Sequence, residues 1–128
     1  MALNAFQGLP AANQPPPRRL LIRSRGRISF VPVTDIEWIE SAGNYLHLHI
    51  GESVHIMRGT MKDMEAQLDP REFLRIHRST MVRIDRIREL KPWPTGEYVV
   101  LLQSGKELTL SRGYRSRVRA LLGSPLSL

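Results

Sequence analysis

From Leu20 onward, apolar and polar side chains alternate with a period of two, in short runs separated by glycine, proline and asparagine. A strand sends successive side chains to opposite faces, so this pattern selects short, half-buried strands over helices. Leu20 with Ile22, then Ile28 with Phe30, predict two strands around Arg25-Gly26-Arg27, a hairpin turn in which glycine supplies the unusual backbone angle. Val31-Pro32-Val33 closes the second strand. Ile36, Trp38 and Ile39 predict a third strand, Gly43-Asn44 a turn, Tyr45 to Ile50 a fourth strand and Val54 to Met57 a fifth. Phe73 to Ile76, parts of Met81 to Leu90, Tyr98 to Leu102 and Glu107 to Leu110 continue the series, the last two joined by a two-residue turn at Ser104-Gly105. Trp38 and Phe30 are expected in the core.

Two segments change to helical spacing. Met57, Met61, Met64 and Leu68 recur at offsets that share one helix face, with Thr60 and Asp63 as a cap-like start and Pro70 as the stop. Methionines at this spacing read as core filler. A second helix is expected from Arg112 to Leu122, with Ser111 as N-cap and Gly123 and Pro125 ending it. Tyr114, Val118, Leu121 and Leu122 share its apolar face, opposite Arg112, Arg115 and Arg119, with Arg117 at the boundary. The expected fold is therefore mostly β, an elongated antiparallel arrangement of about eight to ten short strands with one or two short helices.

The 128 residues suit one domain. Residues 1–17 carry no charge and include Pro10, Pro15, Pro16 and Pro17, which predicts a disordered tail or interdomain linker. The domain is expected over 18–123, with a short tail at 124–128. The absence of cysteine excludes disulfides and thiolate metal sites. No apolar run is long enough to cross a bilayer, and Met1 to Gly8 lacks a secretory signal's charged and apolar regions, so a cytoplasmic location is expected.

Charge is unevenly placed. Residues 71–128 hold twelve Lys and Arg against five Asp and Glu, whereas residues 1–70 hold seven of each. Sixteen of the nineteen cationic side chains are arginine, whose planar fork matches phosphates and guanine edges. A high-GC genome enriches arginine too. Localisation of the excess is what points to a polyanion partner. The last predicted helix carries its arginine stripe with no interleaved acid. In Phe73 to Arg83, cationic and hydroxyl residues alternate with apolar ones, and a strand end or turn there would present His77, Arg78, Ser79 and Arg83. Arg78 could fork onto a guanine edge, while Ser79 and Thr80 suit phosphate oxygens. For His77, a subcore histidine satisfied by a backbone group is an equal reading.

Catalysis has little support. The chain lacks a Gly-rich phosphate loop and a Gly-x-Ser-x-Gly elbow, and its acids look like ion-pair partners, such as Asp85 with Arg86 and Arg88. His47 and His49 share a strand face and His55 could sit opposite, but no carboxylate joins them at a telling spacing. Neither a metal nor a cofactor is expected, and the chain is not expected to be an enzyme.

Four stretches together resemble the LytTR DNA-binding domain of bacterial response regulators. They are Ile39-Glu40-Ser41-Ala42-Gly43-Asn44-Tyr45, Phe73-Leu74-Arg75-Ile76-His77-Arg78-Ser79, Val82-Arg83-Ile84-Asp85 with Ile87, and Gly105 to Leu110 followed by Ser111-Arg112-Gly113-Tyr114. The resemblance spans residues 19–122. It implies loops inserted into successive major grooves of double-stranded DNA. It also implies two copies pairing on promoter direct repeats about one helical turn apart. An upstream receiver domain, not present in this chain, is implied as well, with residues 1–17 as its linker. Carried over by position, the DNA-binding residues are Asn44, Tyr45, His77, Arg78, Ser79, Arg83, Arg112, Gly113 and Arg115. Two positions depart from the pattern. Arg83 stands where the family often has asparagine, and Gly113 where it often has a polar or basic residue. The second departure leaves Arg115 as a candidate replacement contact.

The leading expectation is sequence-specific DNA binding by a bacterial transcription regulator of two-component type. The alternative is a non-specific RNA- or single-strand-binding β module, which needs an aromatic stacking platform that two Trp, three Tyr and three Phe, not clustered on one strand, do not supply. A metal-dependent enzyme on His47, His49 and His55 is a third reading.

Overall fold

The first two strands are joined by a turn whose two central residues, Arg25 and Gly26, both take left-handed backbone angles, φ 51° and 76°. This is the type I′ pattern, whose twist matches that of the flanking strands, β1 (Arg19–Ser24) and β2 (Arg27–Pro32). The computed structural model describes residues 15–122. Residues 1–14 of the expected linker over 1–17, the tail at 124–128, and the stop at Gly123 and Pro125 lie outside the described residues.

Eight more strands follow: β3 (Trp38–Ala42), β4 (Tyr45–Ile50), β5 (Ser53–Arg58), β6 (Phe73–His77), β7 (Thr80–Arg83), β8 (Ile87–Pro92), β9 (Tyr98–Leu102) and β10 (Glu107–Leu110). The helices are α1 (Met61–Gln67) and α2 (Arg115–Leu122). All strand pairs are antiparallel, in sheets ordered β1-β2, β5-β4-β3-β7-β6 and β10-β9-β8. The fold is mostly β, as the alternation predicts.

The five-stranded sheet is buried on both faces over β3, β7 and β6, while β5 leaves Val54 and Ile56 exposed. Ile39, Leu46, Leu48 and Met81 point to one side, where Leu20, Ile22, Val31 and Val33 of the first hairpin region and Met61 and Met64 of α1 cover them. Trp38, Leu74, Ile76 and Val82 point to the other, under Tyr98, Val100, Leu102, Leu108 and Leu110 of the three-stranded sheet and Val118 of α2. Adjacent residues such as Phe73 and Leu74 therefore both belong to cores, one on each side.

Several local expectations are corrected. Phe30 is not core: it is 47 % exposed, because the β1–β2 register puts it on the hairpin face opposite Leu20, Ile22 and Val31, which turn inward. The Arg19 guanidinium lies 5.0 Å from its ring centre. Met57 lies on β5 and packs against the core from there, since the helix begins at Thr60, whose Oγ1 accepts from the Asp63 N–H at 3.1 Å. Ile36 precedes β3 and is fully buried. The β9–β10 connection is not a two-residue turn. Leu102 N–H donates to Lys106 O and Gly105 N–H to Leu102 O, both at 2.9 Å, enclosing three loop residues with Gly105 at φ 93°. A two-residue I′ turn would need Ser104 at positive φ, and Arg25 is the single described non-glycine residue there. Ser111 makes no side-chain cap. The chain enters α2 through a 3-10 turn at Arg112–Tyr114. The side chains of Leu121 and Leu122, expected on the apolar face, lie outside the described residues.

Candidate nucleic-acid interface

β3 pairs with β4 on one side and β7 on the other, so the turns that end those pairs are neighbours at one end of the sheet. Ser41 N–H donates to Ser79 O at 3.0 Å, joining the Gly43-Asn44 turn to the Arg78-Ser79 turn. Asn44 O accepts from Gly59 N–H at 3.0 Å, which brings in the end of β5. Ser111 N–H donates to Ile76 O at 2.9 Å, which sets the Arg112–Tyr114 turn beside the same edge. Three segments distant in the chain thus converge. Asn44, Tyr45, Arg78, Arg112 and Gly113 are exposed; His77, Ser79 and Arg115 are half-buried.

The Arg78 turn is held from within. His77 Nδ1 lies 3.2 Å from the Ser79 backbone N–H, which donates to it, and 3.0 Å from the Ser79 hydroxyl. The subcore reading of His77 is the one the geometry matches, since its ring braces the turn. Arg75 closes the turn from below. Its Nη2 donates to Arg78 O at 2.6 Å, its Nε to His77 O at 3.4 Å and its Nη1 to Glu65 at 3.2 Å. Glu65 also pairs with Arg117, and both Arg75 and Arg117 lie over the Tyr114 ring, at 5.7 and 4.8 Å. One acid and one ring therefore lock α1, the β6–β7 turn and the C-terminal segment together. Arg78, carried on this brace, has no ion-pair partner for its guanidinium among the described residues.

Arg83 does not join this group. Its side chain is 10 % exposed, with Nη1 3.3 Å from Glu72 and Nε 3.0 Å from Asp85. Its guanidinium also covers the Phe73 ring at 5.5 Å. The sequence reading presented it at a strand end or turn, but it sits opposite Phe73 in the β6–β7 register, and the 3-10 turn at Ile84–Arg86 brings Asp85 against it. Gly113 has an ordinary backbone angle, and a Cβ there would meet nothing within 4 Å.

Sequence reasoning missed two cationic features. Arg58 is exposed, ends β5 opposite Tyr45, and pairs with no acid among the described residues. Residues 18–34 carry five arginines and no acid, an excess hidden when charge is counted over residues 1–70. The signal was present in a shorter window.

The histidines do not form a metal site. His55 pairs with Leu48 and so lies on the face opposite His47 and His49. The carboxylate that sequence spacing did not reveal is Glu40, paired with His47 across β3–β4 and 3.0 Å from His49 Nε2. His49 stacks on Trp38 at 3.8 Å and 5°. Among the described residues no group of three His, Cys, Asp or Glu could hold a metal ion. No helix among them is long and apolar enough to cross a membrane.

A family model described as the LytTr DNA-binding domain matches residues 26–123. The chain belongs to the LytTR family. LytTR domains are DNA-binding, non-catalytic output domains of response regulators. The Sensory transduction protein LytT of Enterococcus faecalis is 27 % identical over 113 residues, covering 88 % of this chain and 47 % of the relative. The CO-responsive transcriptional regulator RcoM of Rhodospirillum rubrum is 26 % identical over 117 residues, covering 88 % and 50 %. The Transcriptional regulatory protein YpdB of Escherichia coli is 28 % identical over 97 residues, covering 75 % and 40 %. The chain thus spans half or less of these relatives. Its fold matches the LytTr DNA-binding domain of a putative methyl-accepting/DNA response regulator from Bacillus cereus, with TM-score 0.75 and 20 % identity, over 84 % of this chain and 98 % of that one.

Proposed function

We propose that this LytTR domain binds duplex DNA sequence-specifically. Asn44, Arg78 and the Arg112–Arg115 segment enter successive major grooves, and two copies pair on direct repeats in the cytoplasm. A receiver domain outside this chain supplies the signal, with residues 1–17 as its connection. The observation that carries the reading is the convergence of three separate segments at one sheet end, with exposed cations that no acid among the described residues neutralises. Unpaired guanidiniums on a braced turn are suited to bidentate guanine contacts, and Ser79, Tyr45 and Arg58 to backbone phosphates. The exposed aromatics Phe30, Tyr45 and Trp93 stand on different elements and give no continuous stacking platform for single strands.

The test is selection from a random duplex pool at near-physiological salt, with sequencing of the bound fraction. A direct repeat at a spacing of about one helical turn is expected. Recovery of no repeated motif, or preference for single strands in competition, overturns the reading.

A further inference from the structure

The β8–β9 connection reaches the same end of the molecule by a different route. β9 begins at Tyr98, whose partner on β10 is Leu110, immediately before Ser111. The loop from Trp93 to Glu97 is tied at its base by Trp93 N–H donating to Glu97 O at 2.9 Å and Gly96 N–H to Trp93 O at 3.0 Å. The Thr95 hydroxyl donates to the Glu97 carboxylate at 3.1 Å. Gly96, at φ 90°, lies so close to Arg112 that a Cβ there would sit 2.9 Å from its Cδ. The loop is thereby seated on the arginine stem that opens the C-terminal part of the interface.

At its start stands Trp93, 56 % exposed, with no described large hydrophobic side chain more exposed. Loops are normally polar, and an indole left more than half in water breaks that local rule. Pro92 and Pro94 fix the backbone on either side of it, so little entropy is lost when it is used for contact. Lys91, two residues before it, and Arg112, which the same loop meets at Gly96, are exposed, and no ion pair among the described residues engages either. A second copy of this basic surface would meet like charge there, whereas a polyanion would not.

We infer that Trp93 is a DNA-contact residue, its indole lying against deoxyribose and base edges next to the phosphate engaged by Arg112. The inference rests on the duplex-DNA reading above and adds a fourth segment to it.

The experiment exploits the chain's two tryptophans. Trp38 is 6 % exposed, so an external quencher such as acrylamide reports on Trp93. The probe is a duplex of about 30 base pairs carrying the repeat enriched from the random pool. Binding is expected to shield Trp93 from acrylamide. Trp93→Ala is expected to weaken binding at least about fivefold, the scale of one aromatic–nucleotide contact. The slope of log affinity against log salt should stay unchanged, because an indole displaces no counterion. Arg112→Ala should instead lower that slope by about one. Trp93 touches neither core, so its loss leaves the fold intact. Duplex binding with Trp93 still fully quenched, and Trp93→Ala binding like the unsubstituted chain, overturns the inference alone. Shielding that grows with protein concentration without DNA also overturns it, in favour of a second copy. Failure of the unsubstituted chain to bind any enriched duplex removes the DNA reading and this inference together.

Discussion

Replacing Arg83 separates a structural role from a DNA-contacting one. Its side chain is 10 % exposed, whereas the carboxylate side chains it holds, Glu72 and Asp85, are 44 % and 65 % exposed. Loss of the guanidinium therefore leaves two hydrated acids rather than two buried charges. The full penalty of a broken buried pair, about 3–5 kcal/mol, does not apply. Each water-facing pair is worth roughly 0.5 kcal/mol, and the contact with the Phe73 ring about as much. The buried aliphatic stem contributes more, at about 0.8 kcal/mol per methylene. Arg83→Ala is expected to cost about 3 kcal/mol, and Arg83→Met, which keeps the stem, about 1 kcal/mol. Urea unfolding followed by circular dichroism reads the difference. With a slope of about 1–3 kcal/mol per molar, the midpoint for Arg83→Ala should fall by roughly 1–3 M. Affinity of the folded variants for the enriched duplex should be unchanged, and so should its salt dependence. An unfolding midpoint that stays put, together with weaker binding and a smaller salt slope, would refute the argument and make Arg83 a phosphate contact.

Arg78→Ala should relax discrimination at one base pair by about 1–3 kcal/mol, read by competition among single-base variants of the selected site; a uniform loss across all variants would make it a phosphate contact instead. Gly113→Arg should fold normally, because nothing stands within 4 Å of the new Cβ. It should also steepen the salt slope by about one; an unchanged slope would show that this position does not face DNA. Arg25→Asn should stabilise the chain by roughly 0.5 kcal/mol, since asparagine tolerates the left-handed angle better than arginine; a lower melting temperature would contradict the turn geometry. Hydrogen bonds from the Arg71 side chain and then its backbone N–H hold the Asp69 carboxyl below its ordinary range. Its stabilising contribution is therefore present above the usual carboxylate range and lost as pH falls through the depressed value. NMR titration should show Asp69 moving up on Arg71→Ala, and no movement would remove this account.

Much of the fold was legible because its signals are local. Period-two alternation, the Arg25-Gly26 and Gly43-Asn44 turns and the Thr60 cap act within a few residues, through backbone preference and side-chain reach. The motifs around Asn44, His77 and Arg112 were legible for the same reason: their residues are contiguous. Facing and burial were not. Phe30 alternates like a core residue, yet its hairpin has only one inward face. His55 has the spacing to join His47 and His49, yet the β4–β5 register sends it to the opposite side. Arg83 reads as an exposed cation until Asp85 and Glu72 close over it. Nor does chain order bring Gly96 to Arg112 or Arg75 to Glu65, which are contacts between segments far apart in the chain. The sequence by itself determined the strands, most of the turns and the chemistry of each loop, because those depend on neighbours along the chain. The tertiary structure decided which loops share one end and which cations stay free, because that depends on cross-strand register and the stacking of layers that no local pattern encodes.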